Sequence, residues 1–283
     1  MKPRVAIATA RHLPLPDPDA GPLEAALLAA GVDPQWVAWD DEEHDWSAHD
    51  LVVVRSTWDY VARRDAFVAW ARRVETATRL MNPAQVIEWN TDKIYLRDRL
   101  EAAGVPVVPT LWLERGEDPG RAVSAALAAG FVDVVAKPRI SAGSFATERF
   151  RDAGALLSFL AQHLPARPMM LQPYQARVDD EGERSHVFLA GELSHAVRKA
   201  PRFAEGPLVV AAEPSAPDML ALAERCHAAL GHEPLYARVD LVRSAAGAPQ
   251  VMEVELTEPY LMLDQAPGAA ERLASAITRL VAH

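Results

Sequence analysis

Asp240, Glu253 and Glu255 are the side chains whose spacing most directly specifies chemistry in this 283-residue chain. Tyr236-Ala237-Arg238-Val239-Asp240-Leu241-Val242 and Gln250-Val251-Met252-Glu253-Val254-Glu255-Leu256 flank a turn signal at Ala246-Gly247 and read as a β-hairpin. Centring the hairpin on that dipeptide sets Asp240 opposite Glu253 and Arg238 opposite Glu255. Side chains alternate along a strand, so Val239, Leu241, Met252 and Val254 enter the core while the charged residues share the other face. Carboxylates whose Cβ atoms are about 5 Å apart repel one another unless a cation or proton lies between them. Mg²⁺ takes a few carboxylates together with water and phosphate oxygens, which suits these three acids better than any Cys or His grouping in the chain. The competing reading is a solvated strand face on which Arg238 neutralises Glu255.

Lysine occurs only at positions 2, 93, 137 and 199, so each can be weighed singly. Lys137 closes the apolar run Val132-Asp133-Val134-Val135-Ala136 and precedes Pro138 and the small polar turn Ser141-Ala142-Gly143-Ser144. Such a turn can aim backbone N–H groups at a phosphate while the ammonium acts as a point charge. Lys93 falls in the first turn of a helix expected to start at the capping residues Asn90-Thr91-Asp92 and to run to Ala103, with Gly104 ending it. From there it would face an anion at the helix N-terminus. An exposed lysine or a plain β-turn is the ordinary alternative in both places. The chain has neither a Gly-x4-Gly-Lys-Ser/Thr loop nor a Gly-x-Gly-x-x-Gly fingerprint, which weakens P-loop and dinucleotide-binding readings. Arg55-Ser56-Thr57-Trp58-Asp59-Tyr60 follows the buried run at 51–54, at the carboxyl end of a strand, where open α/β sheets bind ligands. Arg55 would clamp a substrate carboxylate there, with Trp58, Asp59 and Tyr60 beside it. A surface turn with a buried tryptophan is the alternative.

The elements that must carry these residues alternate at first: strands at 5–9, 36–39 and 51–54, and helices at 23–30 and 66–74, the pattern of a parallel sheet. Next come a helix near 122–129, strands at 132–137 and 145–150, and a helix near 153–163. Strands at 169–174, 185–189, 193–197, 235–242 and 250–256 follow, with a closing helix at 269–281. The last third therefore reads as antiparallel, and 201–217 as its most loop-like stretch. Half the residues are hydrophobic and the formal charge is −10, so a core is available while nucleic acid and anionic membranes find no general attraction. No apolar run approaches the ~18 residues of a membrane span. The N-terminus is too short in its apolar part for a secretory signal. The single cysteine, Cys226, cannot form an internal disulfide and sits in a helical pattern as a packing residue, which fits a cytoplasmic location. His44, His49, His163 and His186 show no metal-ligand spacing, and His195 has a minor claim.

Taken in order, Asn90-Thr91-Asp92-Lys93, Ala136-Lys137-Pro138 with its following turn, Leu171-Gln172-Pro173-Tyr174, Arg238-Val239-Asp240 and Glu253-Val254-Glu255 resemble the ATP-grasp superfamily over most of the chain. The resemblance implies an α/β fold, α+β in its C-terminal part, with a Rossmann-like substrate-binding domain (1–90) and two α+β subdomains (91–175 and 176–283) holding ATP between them. It implies that Lys93 and Lys137 bind phosphate, that Ser141, Gly143 and Ser144 belong to a covering loop, and that Gln172 and Tyr174 line an adenine slot. Asp240, Glu253 and Glu255 would bind Mg²⁺, which Mn²⁺ could replace. Many relatives carry Asn where Glu255 stands, and the extra charge here calls for another cation, Arg238 or Arg198. Arg184 and Arg198, on the strands after the adenine slot, are the candidates to neutralise the transferring phosphate. Val54-Arg55-Ser56-Thr57-Trp58-Asp59-Tyr60, Met81-Asn82-Pro83 and Glu253-Val254-Glu255-Leu256-Thr257-Glu258-Pro259 look like the branch that contains the cyclising ligase of D-cycloserine biosynthesis. The activity implied is an ADP-forming carboxylate–amine ligase acting on a small, amino-acid-like carboxylate, with capture by a separate amine or by one in the same molecule. A small-molecule kinase or a non-catalytic nucleotide-binding protein is the alternative. The reading allows a homodimer.

Overall fold

β1 (Arg4–Thr9) and β3 (Leu51–Val54) are apolar on both faces because each is an inner strand of a parallel sheet, completed by β2 (Asp33–Ala38) and β4 (Leu80–Met81) in the order β2-β1-β3-β4. The computed structural model describes residues 2–13, 16–143, 145–201, 203 and 210–282. Alternation sends Val5, Ile7, Leu51 and Val53 to one face, against helices Ala20–Ala29 and Ala269–Val281. Ala6, Ala8, Val52 and Val54 go to the other, against helix Arg64–Ala77. That helix spaces Phe67, Trp70, Ala71 and Val74 along one stripe, as an amphipathic helix must to bury a single face.

A second sheet is antiparallel: β5 (Leu111–Leu113), β6 (Val134–Pro138), β7 (Glu148–Phe150) and β8 (Met169–Pro173), ordered β5-β8-β6-β7, with helices Pro119–Ala128 and Ala153–His163 over its core. The third is also antiparallel: β9 (Glu183–Leu189), β10 (Glu192–Lys199), β11 (Val210–Ala212), β12 (Tyr236–Arg243) and β13 (Pro249–Glu255), ordered β11-β10-β9-β12-β13. Helix Pro217–Ala228 supplies Met219, Leu222, Ala223 and Cys226 to the core beneath it. The expected loop at 201–217 thus holds β11 and the start of this helix, while 202 and 204–209 lie outside the described residues.

The expected helix at 90–103 is corrected. Asn90 ends the helix Ala84–Asn90, and Thr91-Asp92-Lys93 is a turn into a π-helix at Leu96–Glu101, closed by Gly104 at φ +74°. The reason lies in what Asn90 bonds. Its amide donates to the Val254 carbonyl at 2.8 Å and accepts from Leu256 N–H at 2.8 Å, so it cannot cap a following helix. Asp92 instead accepts from Ile94 N–H and pairs with Arg139. Asn90 belongs to a set of braces on β13. Tyr95 Oη donates to Val254 O and accepts from Val254 N, and Asn82 donates to Tyr236 O and Leu256 O while accepting from Leu235 N. Polar side chains from 82–95 therefore hold the backbone of the acidic hairpin in place.

Candidate active site

The hairpin register is Arg238 opposite Glu255 and Asp240 opposite Glu253, as the spacing requires, but a bulge follows Asp240 and pairs Leu241 with Val251. Met252 is the residue left over, and Val251 takes the core place expected for it. The same alternation extends across the sheet. Asp240 faces Ser185 on β9, Ser185 faces Val197 on β10, and Glu183 faces Lys199, so Glu183, Ser185, Lys199, Arg238, Asp240, Glu253 and Glu255 share one face. This face is not solvated: Arg238 and Asp240 are 7 % and 3 % exposed.

Asp240 is ringed by positive charge, with Arg238 Nη2 and Lys199 Nζ each 2.9 Å from Oδ2 and the Ser185 hydroxyl donating to Oδ1 at 2.5 Å. Burial opposes its ionisation, yet Arg238 and Lys199 hold its carboxyl well below the usual range. Arg238 also pairs with Glu255 at 2.5 Å, and so is the extra cation that Glu255 demands. Lys199 further pairs with Glu183. Lys93 crosses from the 91–93 turn to Glu253 at 3.0 Å and donates to the Ser141 carbonyl at 2.8 Å. Burial works against its charge, but Glu253, with Glu255 and Glu258 behind it, raises its pKa. Lys137 differs. It is 7 % exposed, lies in the field of Glu253, Lys93, Glu183 and Asp240, and among the described residues its ammonium has no hydrogen-bond or ion-pair partner. Burial, aided by Lys93 and opposed by Glu253, lowers its pKa. A buried ammonium without an acceptor is costly unless an anion arrives to pair with it. Gly143 carries the positive φ (+58°) of the adjoining turn, Ser141 is buried against Lys93, and Ser144 lies outside the described residues.

The three acids expected to bind metal differ in their surroundings. Among the described residues no group of three or more His, Cys, Asp or Glu is gathered as a metal site, and Asp240 is paired with Arg238 and Lys199. Glu253 and Glu255 remain. Burial, then Glu253 and Asp240, push Glu255 up to about 7 despite Arg238. That surplus of negative charge beside two lysines is the donor environment a divalent cation with phosphate oxygens relieves, so these carboxylates fit Mg²⁺. Glu258, which the sequence reading did not single out, lies beside them. The Tyr60 phenol lies next to it, and burial followed by the charge of Glu255 pushes its carboxyl up to about 8.

The segment after β3 divides in two. Trp58 Nε1 donates to the Glu258 carbonyl at 3.0 Å, and Tyr60 stacks on Phe67 at 4.9 Å with its hydroxyl toward Glu258, so both border the acids. Asp59 instead accepts from Trp39 Nε1 at 2.7 Å and pairs with Arg63, a brace within the N-terminal unit. Arg55 is likewise held as a brace: it is 1 % exposed, and its Nη2 pairs with Asp19 at 2.9 Å and donates to Pro259 O at 2.8 Å, while its Nε and Nη1 are buried without a partner among the described residues. Asp19 in turn accepts from Leu261 and Leu263 N–H. Removing one partner of a buried ion pair strands the other, so Arg55→Ala is expected to destabilise the fold by about 3–5 kcal/mol. Urea unfolding of the variant checks this, and an unchanged midpoint would return Arg55 to the pocket wall.

Arg184 and Arg198 are corrected as well. They face each other on β9 and β10, one residue out of step with Ser185 and Lys199, and so lie on the opposite side of the sheet from the acids. There both bond the Glu181 carbonyl, and Arg184 pairs with Glu213. Lys199 is the cation that β10 turns toward the acids. Gln172 is buried at the end of β8 and donates to Thr110 Oγ1 at 3.0 Å. The Tyr174 hydroxyl bonds Asp179 and its ring lies under Arg149.

Two antiparallel sheets beside a parallel one, with lysines reaching from the second unit and its border toward an acidic hairpin, define an ATP-grasp ligase. ATP-grasp ligase PsnB, solved with a precursor variant, Mg and ADP, superposes with a TM-score of 0.68 at 18 % identity, covering 99 % of each chain. D-alanine–D-alanine ligase from Bacillus anthracis, solved with ATP, gives 0.74 at 16 % identity, covering 99 % of this chain and 97 % of that one. These two show the fold. The model of the N-terminal domain of D-cycloserine synthetase DcsG matches residues 5–82. The cycloserine biosynthesis protein DcsG of Streptomyces lavendulae is 36 % identical over 291 residues, 96 % of each sequence, and a crystal structure of D-cycloserine synthetase DcsG superposes with a TM-score of 0.89 over 98 % of this chain and 99 % of that one. The chain belongs to the DcsG family of ATP-grasp ligases and is an ATP-dependent, C–N bond-forming enzyme. Among the described residues no helix is long and apolar enough to cross a membrane.

Proposed function

We propose that this chain uses ATP to phosphorylate the carboxylate of a small amino acid and closes a ring when an amine of the same molecule captures the activated acyl group, as the formation of D-cycloserine requires. The observation that carries the nucleotide half is Lys137, a largely buried lysine whose ammonium has no ion-pair or hydrogen-bond partner among the described residues, in the field of Lys93 and Glu253. The family relationship at 36 % identity supports the cyclising half.

In the proposed first step a substrate carboxylate oxygen attacks the γ-phosphorus, the bond from that phosphorus to the β,γ-bridging oxygen breaks, and ADP leaves an acyl phosphate. Lys93 and Lys137 orient the phosphates and offset charge growing on the transferring group. Glu253 and Glu255 would hold Mg²⁺, or Mn²⁺ in its place, which when bound neutralises and aligns phosphate oxygens. In the second step the amine nitrogen attacks the acyl carbon, the carbon–oxygen bond to phosphate breaks, inorganic phosphate leaves, and the nitrogen gives up a proton. A covering loop at Ser141, Gly143 and Ser144, the last of them outside the described residues, would exclude water from the acyl phosphate. Gln172 and Tyr174 flank the adenine, and Trp58 and Tyr60 the substrate. The units 1–90, 91–175 and 176–283 are proposed as the working domains. The 96–105 segment, however, packs with the third sheet, and the closing helix with the first.

The test is an ADP-release screen with MgATP over small amino acids, including open-chain acids related to the cycloserine ring. ADP and phosphate are the expected products, because attack is on the γ-phosphate; AMP and pyrophosphate would rule the mechanism out.

A further inference from the structure

Charge pairing in the active site leaves one carboxylate over. Lys199 serves Glu183 and Asp240, Arg238 serves Asp240 and Glu255, and Lys93 serves Glu253. Among the described residues Glu258 alone of these acids makes no ion pair, although Lys93 lies in its field. Lys137 is unpaired too, but it lies in the field of Glu253, Glu183 and Asp240, at the phosphate end of the site. MgATP brings net negative charge, so the nucleotide does not favour the ionised form of Glu258, which burial and Glu255 already oppose. A cationic group on the second substrate is what would favour it.

Glu258 is also held as a recognition group needs to be. The Trp58 indole bonds its carbonyl, Arg55 bonds the next carbonyl, at Pro259, and the Tyr60 phenol, stacked on Phe67, lies next to its carboxylate. Its side chain is half-buried. That exposure is low enough for a charge pair to outweigh hydration and high enough for a small ligand to reach it. We propose that Glu258, positioned by Tyr60 and Trp58, receives the ammonium group of the substrate, so that the enzyme selects α-amino acids over simple carboxylic acids. The proposal rests on the substrate reading above and adds the group that enforces it.

The test uses ring compounds with and without the amine. D-cycloserine and isoxazolidin-3-one, its counterpart lacking the amino group, are titrated by calorimetry into the enzyme saturated with MgADP. The wild type is expected to favour D-cycloserine by about 10- to 100-fold, the range of one hydrogen-bonded charge contact. Glu258→Gln, which keeps the shape, should abolish that preference by weakening D-cycloserine alone, and Glu258→Asp should restore part of it. MgADP affinity should not move. Retention of the preference in Glu258→Gln would overturn the assignment, and a parallel loss of MgADP affinity would place Glu258 with the metal instead. A wild type that binds MgADP but neither ring compound would refute the cyclisation reading itself, and with it this one.

Discussion

Glu253→Gln is expected to lower kcat/KM for ATP by a factor on the order of 10²–10³ or more, the size of effect seen when a charged group acting on a phosphoryl transition state is removed. Glu253 meets Lys93 directly, lies in the field of Lys137, and is one of the two carboxylates left to hold Mg²⁺. The fold should survive, because β13 is held through its backbone by Asn82, Asn90 and Tyr95 and not through the Glu253 side chain. The check is steady-state kinetics at several Mg²⁺ concentrations alongside thermal unfolding. Near-wild-type turnover would remove Glu253 from the metal and phosphate site.

Lys137→Met should be of similar severity. The substitution keeps an unbranched apolar stem of nearly the same reach at the end of β6 and deletes only an ammonium that has no partner in the described structure. Relieving a buried, unpaired charge should leave the protein as stable as the wild type or more so, while ATP use falls by about 10²-fold or more. That combination separates a ligand-binding lysine from a structural one. Lost stability with ATP use intact would mark Lys137 as a packing residue.

Much of this site was readable from short-range pattern. The hairpin register needed only the turn at Ala246-Gly247 and strict alternation, and Lys137 stood out as a charge at the end of an apolar strand. The helices at 153–163 and 269–281 have the bounds that their periodicity dictates. The bulge that ejects Met252 was not readable, since one extra residue leaves the apolar pattern of Val251, Met252 and Val254 equally plausible in either register. Arg184 and Arg198 were misassigned for a related reason. Glu183-Arg184-Ser185-His186 is polar on both faces, so nothing local sets its phase, and the true phase selects Lys199. The pairing of Arg55 was not readable because its partner, Asp19, lies 36 positions away and is buried only when Leu261 and Leu263 close over it. Asn90 looked like a helix cap because the same amide that caps can also brace a strand 164 positions away. Glu258 had no local signal. Its meaning comes from Tyr60 and from the cations given to its neighbours, a matter of tertiary arrangement.

The central claim is that a carboxylate is phosphorylated before the C–N bond forms, and isotope transfer tests it directly. An acid that turns over in the ADP-release screen is prepared with ¹⁸O in both carboxylate oxygens and consumed with unlabelled MgATP, and the phosphate formed is read by its ³¹P isotope shift. One ¹⁸O atom in each phosphate is the expected result, because the bond that breaks in the second step lies between the acyl carbon and the former carboxylate oxygen. Phosphate without ¹⁸O, formed at the same rate as product, would contradict an acyl phosphate and require a different use of ATP.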